Sequence, residues 1–209
     1  IRHYFEEAGF EEVETPILQN IYGGAAARPF QTHLHALHQD MYLRIALEIS
    51  LKKLVVGGMQ KIYEIGKNFR NEGIDKTHNP EFTMLEAYAA GWDYHDMMSF
   101  TENLFESIAL ELFGDTKVRF NSEQDAAAIV IDLKAPWKRL SMKEAIHTYA
   151  HINVDAMTEE DMRKKLLELT HIDPKGVKSA PRGALISMLF EELAEKHLTQ
   201  PHHIIDHPI

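Results

Sequence analysis

Residues 69–88, "FRNEGIDKTHNPEFTMLEAY", concentrate groups that suit binding of a charged nucleotide and an amine. Arg70 offers a guanidinium fork for a phosphate or a carboxylate, Phe82 a ring for stacking on a base, and Glu86 a carboxylate for an ammonium group. The alternative is a surface hairpin whose interstrand ion pairs contribute little to stability. Residue alternation alone leaves both interpretations open.

Two strand-like runs, residues 61–70 and 81–90, must position these groups. They flank a polar loop, so the pattern predicts an antiparallel hairpin. Side chains alternate along a strand, and an antiparallel partner would bring Arg70 near one face of the second run. That face carries Phe82, Met84, Glu86 and Tyr88. The opposite face, with Thr83, Leu85, Ala87 and Ala89, is predicted to be an ordinary core face.

The rest of the chain contains both helical and strand-like segments. Ser141 and Glu144 form a capping-box pattern that opens a helix. Residues 151–200 are polar and helical without a strand signal, and we interpret them as a helical insertion. The other predicted helices cover residues 1–10, 46–56 and 94–113, and the other strand candidates are "EEVETPIL", "FQTHLHALHQDMYLRI", residues 118–120 and 128–133, and "HHIIDHP".

Composition excludes several classes of protein. The net charge of −10 argues against a broad basic surface for nucleic acid. Cysteine is absent, which excludes disulfides and thiolate sites. No apolar run approaches the ~18 residues of a membrane span, and no signal peptide is visible, so we expect a cytoplasmic protein that does not enter the membrane. The chain begins without Met inside a predicted helix and ends in a predicted strand, so we expect a fragment.

The hairpin sequence resembles motif 2 of the class II aminoacyl-tRNA synthetases, in the form used by lysyl-tRNA synthetases. "GFEEVETPIL" resembles motif 1 of that family, including its terminal Pro16, and "GGAAARPF", "DMYLRIALEISLKKLVVGG" and "IYEIGKNF" resemble the segments between the motifs. The resemblance runs from residue 1 to about residue 114, with further patches at "APWKRLSMKEAI" and "QPHHIIDHP". It implies an α+β fold, with an antiparallel sheet flanked by helices and a helical insertion. Residues 1–209 would form a partial catalytic domain that lacks motif 3.

The resemblance also implies an activity. Enzymes of this family activate L-lysine with ATP, release pyrophosphate, and pass the lysyl group from the adenylate to tRNA(Lys). Such phosphoryl chemistry depends on positioning and charge neutralisation. Motif 1 builds a homodimer interface in the family. The motif 3 arginine, the acidic Mg²⁺ ligands and the OB-fold that reads the anticodon are missing here, so we expect no metal ligand in this chain and no catalysis by it alone.

Matching residues take the family's roles position by position. Arg70 would bridge the lysine carboxylate and the α-phosphate. The other nucleotide contacts would be Glu72 to the adenine amino group, His78 near the terminal phosphates, Asn79 beside the nucleotide and Phe82 stacked on adenine. The other lysine contacts would be Glu86 and Tyr88 at the ε-ammonium, with Gly24 and Glu48 at the α-amino group.

Ordinary structural roles compete with several of these assignments. Glu48 could instead pair with Lys52 one helical turn away. His78 and Asn79 could simply shape the loop before a proline. Gly24 could serve only the turn. The family's usual threonine and aromatic pair near the end is replaced by His202 and His203, which puts the pairing of that strand in doubt.

Three other functions remain open from the sequence. "THLHALH" places His33, His35 and His38 near Asp40, and His33 and His35 would share a strand face in a zinc site. A stand-alone paralogue of the lysine enzyme, which attaches a lysine-type residue to a translation elongation factor, shares "HNPEFTMLE". A fragment carrying motif 1 could also act purely as a dimerisation or binding module.

Overall fold

The computed structural model describes residues 1–120, 129–169 and 172–208, which contain both helices and strands. The chain divides into two units, Ile1–His95 and Asp96–Ile209. The predicted α+β class is confirmed. Within the described residues, no helix combines the length and the apolar character that crossing a membrane requires.

The first unit is built around a long hairpin. Strand β5 pairs antiparallel with β6, in a register that runs from Lys61 opposite Ala89 to Phe69 opposite Glu81. Strand β1 joins the other edge of β5 in parallel, and β2, β4 and β3 form a second, antiparallel sheet. The elements are α1 (Arg2–Glu7), β1 (Glu11–Glu12), β2 (Leu18–Gln19), β3 (Gln31–Leu34), β4 (Gln39–Leu43), α2 (Glu48–Val56), β5 (Lys61–Phe69) and β6 (Glu81–Ala89).

A buried ion pair ties this unit together. Arg44 and Glu64 are each 2% exposed, and Arg44 Nη1 lies 2.6 Å from Glu64 Oε1. The same guanidinium donates to the backbone carbonyls of Thr15 (2.9 Å) and Lys67 (2.8 Å), while the Thr15 hydroxyl donates to Glu64 Oε2 (2.6 Å). Buried charges require hydrogen bonds of this kind, because desolvation otherwise exceeds the Coulomb gain. Segments far apart in sequence therefore share one polar centre.

The prediction that the odd-numbered face of β6 is a core face is wrong. Thr83 is exposed and Leu85 is 36% exposed, whereas Phe82, Met84, Glu86 and Tyr88 are half-buried. Alternation identifies which residues share a face, but packing of other segments decides which face is covered. Here the covered face is the one that carries the candidate site.

The second unit has its own helical core. Its buried residues come from β9, α4, a 3₁₀ turn at Val154–Ala156, and α5 to α7. The predicted capping box at Ser141 and Glu144 opens α4, and Thr158 and Asp161 open α5 in the same way. The elements are α3 (Tyr94–Phe113), which begins at the end of the first unit, then β7 (Lys117–Phe120), β8 (Ile129–Asp132), β9 (Lys138–Ser141), α4 (Met142–Ala150), α5 (Glu159–Leu167), α6 (Pro174–Ser179), α7 (Arg182–Leu193) and β10 (His202–Ile205).

Predicted elements of this unit are largely observed. The strand candidate at residues 128–133 becomes β8, although Ala128 lies outside the described residues, as do Thr170 and His171 of the helical stretch. Residues 151–200 share their core with α4. Their status as an insertion in a larger domain stays a prediction.

The two histidines that depart from the family pattern do not prevent strand pairing. Strand β10 pairs in parallel with β9, with His203 opposite Arg139. The His203 ring stacks on Trp137 at 5.3 Å, and its Nε2 lies 3.0 Å from the buried Glu102 Oε1. Burial lowers the pKa of His203, against the opposing pull of the Glu102 charge. An imidazole thus fills an aromatic position and also contacts a buried carboxylate.

Gly66 is required by the buried ion pair. A Cβ at this position would overlap Arg44 Nη2 and lie 2.9 Å from Glu64 Oε1. We therefore predict that Gly66→Ala lowers the free energy of unfolding of the full-length protein by about 1–3 kcal/mol, the usual cost of overpacking. Urea denaturation measures this.

The matched control is Gly73→Ala, because a Cβ there meets nothing within 4 Å. Its effect should stay within about 0.5 kcal/mol. Equal effects of the two substitutions would contradict a steric role for Gly66.

Candidate active site

One face of the β5–β6 hairpin presents a cation beside an aromatic ring. Asn68 of β5 lies opposite Phe82 of β6, and Arg70 follows two residues later on the same side. The Arg70 guanidinium carbon lies 5.1 Å from the Phe82 ring centroid, within cation–π range. The predicted approach of Arg70 to this face is confirmed. The backbone N–H of Arg70 donates to the Pro80 carbonyl (2.9 Å), and this bond closes the hairpin loop.

A cavity of about 240 Å³ opens beside this pair. Glu72 lies on its wall, and its Oε1 accepts from the backbone N–H of Arg28 at 3.2 Å. The Asn71 N–H donates in return to the Arg28 carbonyl at 2.8 Å, so the small-residue loop before β3 is fastened to the hairpin loop. The cavity is lined by Arg70, Glu72, Gly73, Thr77, His78, Asn79, Pro80 and Phe82. It therefore gathers all five predicted nucleotide contacts.

Local hydrogen bonds shape the loop that carries His78 and Asn79. His78 Nδ1 lies 2.8 Å from Asp75 Oδ2, and the Thr77 and His78 N–H groups both donate to Asp75 Oδ1 at 2.8 Å. The hydrogen bond from the Thr77 backbone N–H makes the largest contribution, and the His78 side chain the next, to holding the pKa of Asp75 well below its usual range. Asn79 Nδ2 donates to the Glu81 carbonyl at 2.6 Å. The loop-shaping alternative for these two residues is therefore observed, and it leaves both of them on the cavity wall.

Acidic groups collect farther along the same face. Glu86 lies four residues beyond Phe82, a separation of about 13 Å along an extended strand. Its Oε1 accepts from the Leu47 N–H (3.3 Å) and its Oε2 from the Tyr88 hydroxyl (3.2 Å). Burial raises the pKa of Tyr88, and the charges of Glu86 and Glu48 raise it further. The phenol therefore keeps its proton and remains a donor to Glu86.

Gly24 and Glu48, predicted for one role, lie together. Gly24 has φ +87°, and a Cβ on it would be 3.0 Å from the Glu48 Cβ and 3.2 Å from the Ala46 Cβ. Glycine is thus favoured here both by its backbone and by the close approach of two chain segments. The Glu48 Oε1 lies 2.6 Å from Lys52 Nζ, the helical pair expected as the ordinary alternative. This carboxylate already binds an ammonium group.

A short connection between β4 and α2 joins both ends of the site. Residues 44–47 are all buried. The Ile45 carbonyl accepts from Arg70 Nε (3.3 Å), and the Leu47 N–H, two residues on, binds Glu86. Sequence reasoning missed this connection. The sequence does carry a signal for it. Arg44 is a charged residue inside the apolar run "MYLRIAL", and Glu64 is a residue of opposite charge inside the apolar run "KIYEIG".

Asn68 is a further residue that sequence reasoning missed. It is 0% exposed, and neither side-chain amide atom has a hydrogen-bond partner within residues 1–120, 129–169 and 172–208. It lies on the same face of β5 as Glu64 and Gly66. Burial of an unpaired amide costs about 1–3 kcal/mol. Asn68 therefore lowers the stability of this face of the hairpin by an amount of that order.

The arrangement separates two kinds of chemistry on one surface. The Arg70 end offers a guanidinium, a ring and a cavity of about 240 Å³, which suit a base and its phosphates. The Glu86 end offers two carboxylates and a phenol, which suit a molecule with ammonium groups. The two ends thus suit the binding of a nucleotide and of an amine-bearing molecule on one surface.

The zinc alternative receives no geometric support. His33 and Asp40 are cross-strand neighbours, with Nδ1 and Oδ1 2.8 Å apart. His35 does not share a strand with His33 as expected, because β3 ends at Leu34 and a 3₁₀ turn covers His35–Leu37. In the part of the chain that the structure describes, no group of three or more His, Asp or Glu side chains is arranged to hold a metal ion.

Comparison with known proteins identifies related chains. A sequence model of the family described as "tRNA synthetases class II (D, K and N)" matches residues 1–209. A Chlamydia caviae protein named lysine--tRNA ligase is 53% identical over 209 residues, which is 100% of this chain and 40% of that protein. Proteins of the same name from Clostridium botulinum and Thermoanaerobacter pseudethanolicus are each 46% identical over 210 residues, with the same coverage. The chain thus spans about 40% of the length of the curated relatives it matches.

Proposed function

The chain belongs to the class II tRNA synthetases of the D, K and N group, and we propose that the full-length protein activates L-lysine with ATP and transfers it to tRNA(Lys). The predicted family is confirmed. The lysine carboxylate would attack the α-phosphorus of ATP, forming lysyl-adenylate as pyrophosphate leaves. A ribose hydroxyl of the tRNA terminus would then attack the acyl carbon, and AMP would leave. The observation that carries this proposal is the hairpin face with Arg70 at one end and Glu86 at the other.

The nucleotide would occupy the cavity beside Phe82. The adenine ring would stack on Phe82 with the Arg70 guanidinium close by. Arg28 engages only one oxygen of Glu72, so the other oxygen remains to accept from the adenine amino group. His78 and Asn79 on the cavity wall would lie along the phosphates and the nucleotide.

Lysine would lie along the acidic end of the face. Glu86 would bind the ε-ammonium, in an orientation fixed by the Leu47 N–H and the Tyr88 hydroxyl. Glu48 and the Gly24 backbone would bind the α-ammonium, where the Lys52 ammonium now contacts Glu48. Two carboxylates for a substrate with two ammonium groups give charge complementarity.

Arg70 would act on the chemical step. Its guanidinium would bridge the lysine carboxylate and the α-phosphate, so the repulsion between these anions falls as they approach. We propose that Mg²⁺ accompanies ATP. Among the residues that the structure describes, no group of acidic side chains is arranged to hold a metal ion. By the family resemblance, we propose that the ligands of Mg²⁺, the second phosphate-binding arginine and the module that reads the anticodon belong to other parts of the full-length protein. We also propose that the enzyme works in the cytoplasm.

We further propose that the full-length protein is a homodimer that pairs through an apolar patch at motif 1. A cavity of about 470 Å³ lies between β2, the β3–β4 hairpin and α2. Large apolar side chains around it are exposed, a feature of interaction surfaces. They are Ile17 (39%), Leu18 (48%), Ile21 (78%), Leu37 (67%) and Ile49 (42%).

Glu86→Gln should selectively weaken lysine use by the full-length enzyme. The amide keeps the shape but removes the charge that faces the ε-ammonium, a loss of about 2–4 kcal/mol. Lysine-dependent ATP–pyrophosphate exchange should therefore show a large rise in the KM for lysine and little change in the KM for ATP.

The matched control is Glu81→Gln, an exposed carboxylate on β6 that pairs only loosely with Lys67 at 3.5 Å. It should leave both KM values unchanged. An unchanged lysine KM in Glu86→Gln would remove Glu86 as the specificity residue. Lysine activation without charging of tRNA(Lys), with lysine appearing on a translation elongation factor, would favour the paralogue instead.

Arg70 substitutions should damage adenylate formation more than transfer to tRNA. Arg70→Ala should slow adenylate formation by about 10²–10³-fold, the scale for loss of one electrostatic stabiliser. Arg70→Lys should already be damaging, because the ammonium lacks the bidentate fork. Single-turnover kinetics separates the two steps. Lys67→Gln, an exposed cation on the same hairpin, serves as control. Equal losses in both steps would mean that Arg70 only holds the hairpin together.

Ile21→Asp should weaken self-association without unfolding the protein. A carboxylate in the motif 1 patch would have to be buried without a partner when two copies associate. Val56→Asp is the matched control, since Val56 is 89% exposed and does not line the motif 1 cavity. Sedimentation velocity should show that Ile21→Asp is monomeric and that Val56→Asp remains dimeric. A dimer that persists in Ile21→Asp would place the interface elsewhere.

A further inference from the structure

The connection between β4 and α2 has an unusual position within the proposed site. Its Ile45 carbonyl contacts the Arg70 side chain, and its Leu47 N–H contacts the Glu86 side chain. Ala46, between them, lies against Gly24. One buried stretch of backbone therefore contacts the residues proposed for the phosphate, the ε-ammonium and the α-ammonium. A shift of this backbone would displace several substrate contacts together.

Arg44 fixes this backbone at its first residue. Its N–H donates to the Ile17 carbonyl and its carbonyl accepts from the Phe69 N–H, both at 2.9 Å. Its guanidinium binds Glu64, Thr15 and the Lys67 carbonyl from within the core. The side chain thus attaches the connection to the motif 1 segment on one side and to β5, which leads into Arg70, on the other.

We propose that Arg44, held by Glu64 and Thr15, is a positioning residue that sets the places of both Arg70 and Glu86. This proposal rests on the proposed function, because it concerns the same reaction. Arg44 is 2% exposed, so in this proposal it acts without binding a substrate itself. It acts through the Ile45 carbonyl and the Leu47 N–H, so both proposed substrates depend on one buried guanidinium.

The chemistry of the guanidinium explains why arginine is needed. Arg44 Nη1 is directed at Glu64 and Thr15, while Nε is directed at the Lys67 carbonyl, three residues farther along β5 than Glu64. A planar fork can serve both directions at fixed angles, whereas a lysine ammonium is a single point donor. Arg44→Lys keeps the buried charge pair but loses one of the two attachments. A misplacement of about 1 Å can slow a reaction about 10²-fold.

An ordinary core role makes a different prediction, which a double-mutant cycle separates. In the full-length enzyme, Arg44→Lys should slow single-turnover adenylate formation by about 10–100-fold. If it acts through Arg70, the same change in an Arg70→Lys background should cost only about 3-fold or less, because coupled residues are not additive. The cycle with Glu86→Gln should be non-additive as well, while the cycle with the exposed Glu81→Gln should be additive.

Two further variants keep the test decisive. Phe5→Leu alters a buried ring that is 1% exposed and contacts the rings of Tyr63 and Phe10, so it serves as a control for lost stability. If Arg44→Lys does not fold, the test uses Thr15→Val instead. This variant exchanges the hydroxyl that bonds Glu64 and Arg44 for a methyl group. It should slow adenylate formation by about 3–10-fold, a tenfold change being about 1.4 kcal/mol.

Additive cycles with Arg70→Lys and Glu86→Gln would overturn the proposal, as would a loss no greater than that of Phe5→Leu at equal urea stability. Wild-type enzyme that shows no lysine-dependent pyrophosphate exchange would instead overturn the proposed function, and this proposal with it. An active wild type with a fully active Arg44→Lys would overturn the positioning role alone.

Discussion

The buried pair of Arg44 and Glu64 is the constraint on which the first unit depends. Two charges that are 98% shielded from water remain favourable only when their hydrogen bonds are complete. Completing them requires Thr15 from the motif 1 segment, the Lys67 carbonyl from β5, and an absent side chain at Gly66. The pair therefore sets the geometry of several segments at once. An apolar core would tolerate small shifts of these segments more readily than this polar centre does.

This constraint reaches the site through backbone rather than through side chains. The chain leaves the buried Arg44, passes two peptide groups that contact Arg70 and Glu86, and enters α2 at Glu48. Peptide groups are rigid and cannot change rotamer, so they hold partners more firmly than a flexible side chain does. The site is consequently built on the junction of the hairpin with one connection. Its exposed loop, residues 71–80, contributes the nucleotide cavity wall.

Charge is distributed along the hairpin in a way that suits the proposed substrates. One end presents the Arg70 guanidinium beside Phe82, and the opposite end gathers Glu48, Glu86 and a protonated Tyr88. Lysine would align on this face with its carboxylate toward Arg70 and its ε-ammonium toward Glu86. The second unit contains a separate buried carboxylate, Glu102, which lies 2.5 Å from Arg139 and 3.0 Å from His203. Buried charge is thus neutralised locally in each unit.

The sequence by itself determined the features that depend on neighbouring residues. Alternation predicted β5 and β6, the Ser141–Glu144 spacing predicted the start of α4, and the ordered motifs predicted the family. Only the tertiary structure decided which hairpin face is covered, that β1 and β9 take parallel partners, that His35 leaves its strand, and that Arg44 pairs with Glu64. The reason is physical. Periodicity and capping express local hydrogen bonds and side-chain directions, whereas the choice of a distant partner depends on how separate segments pack together.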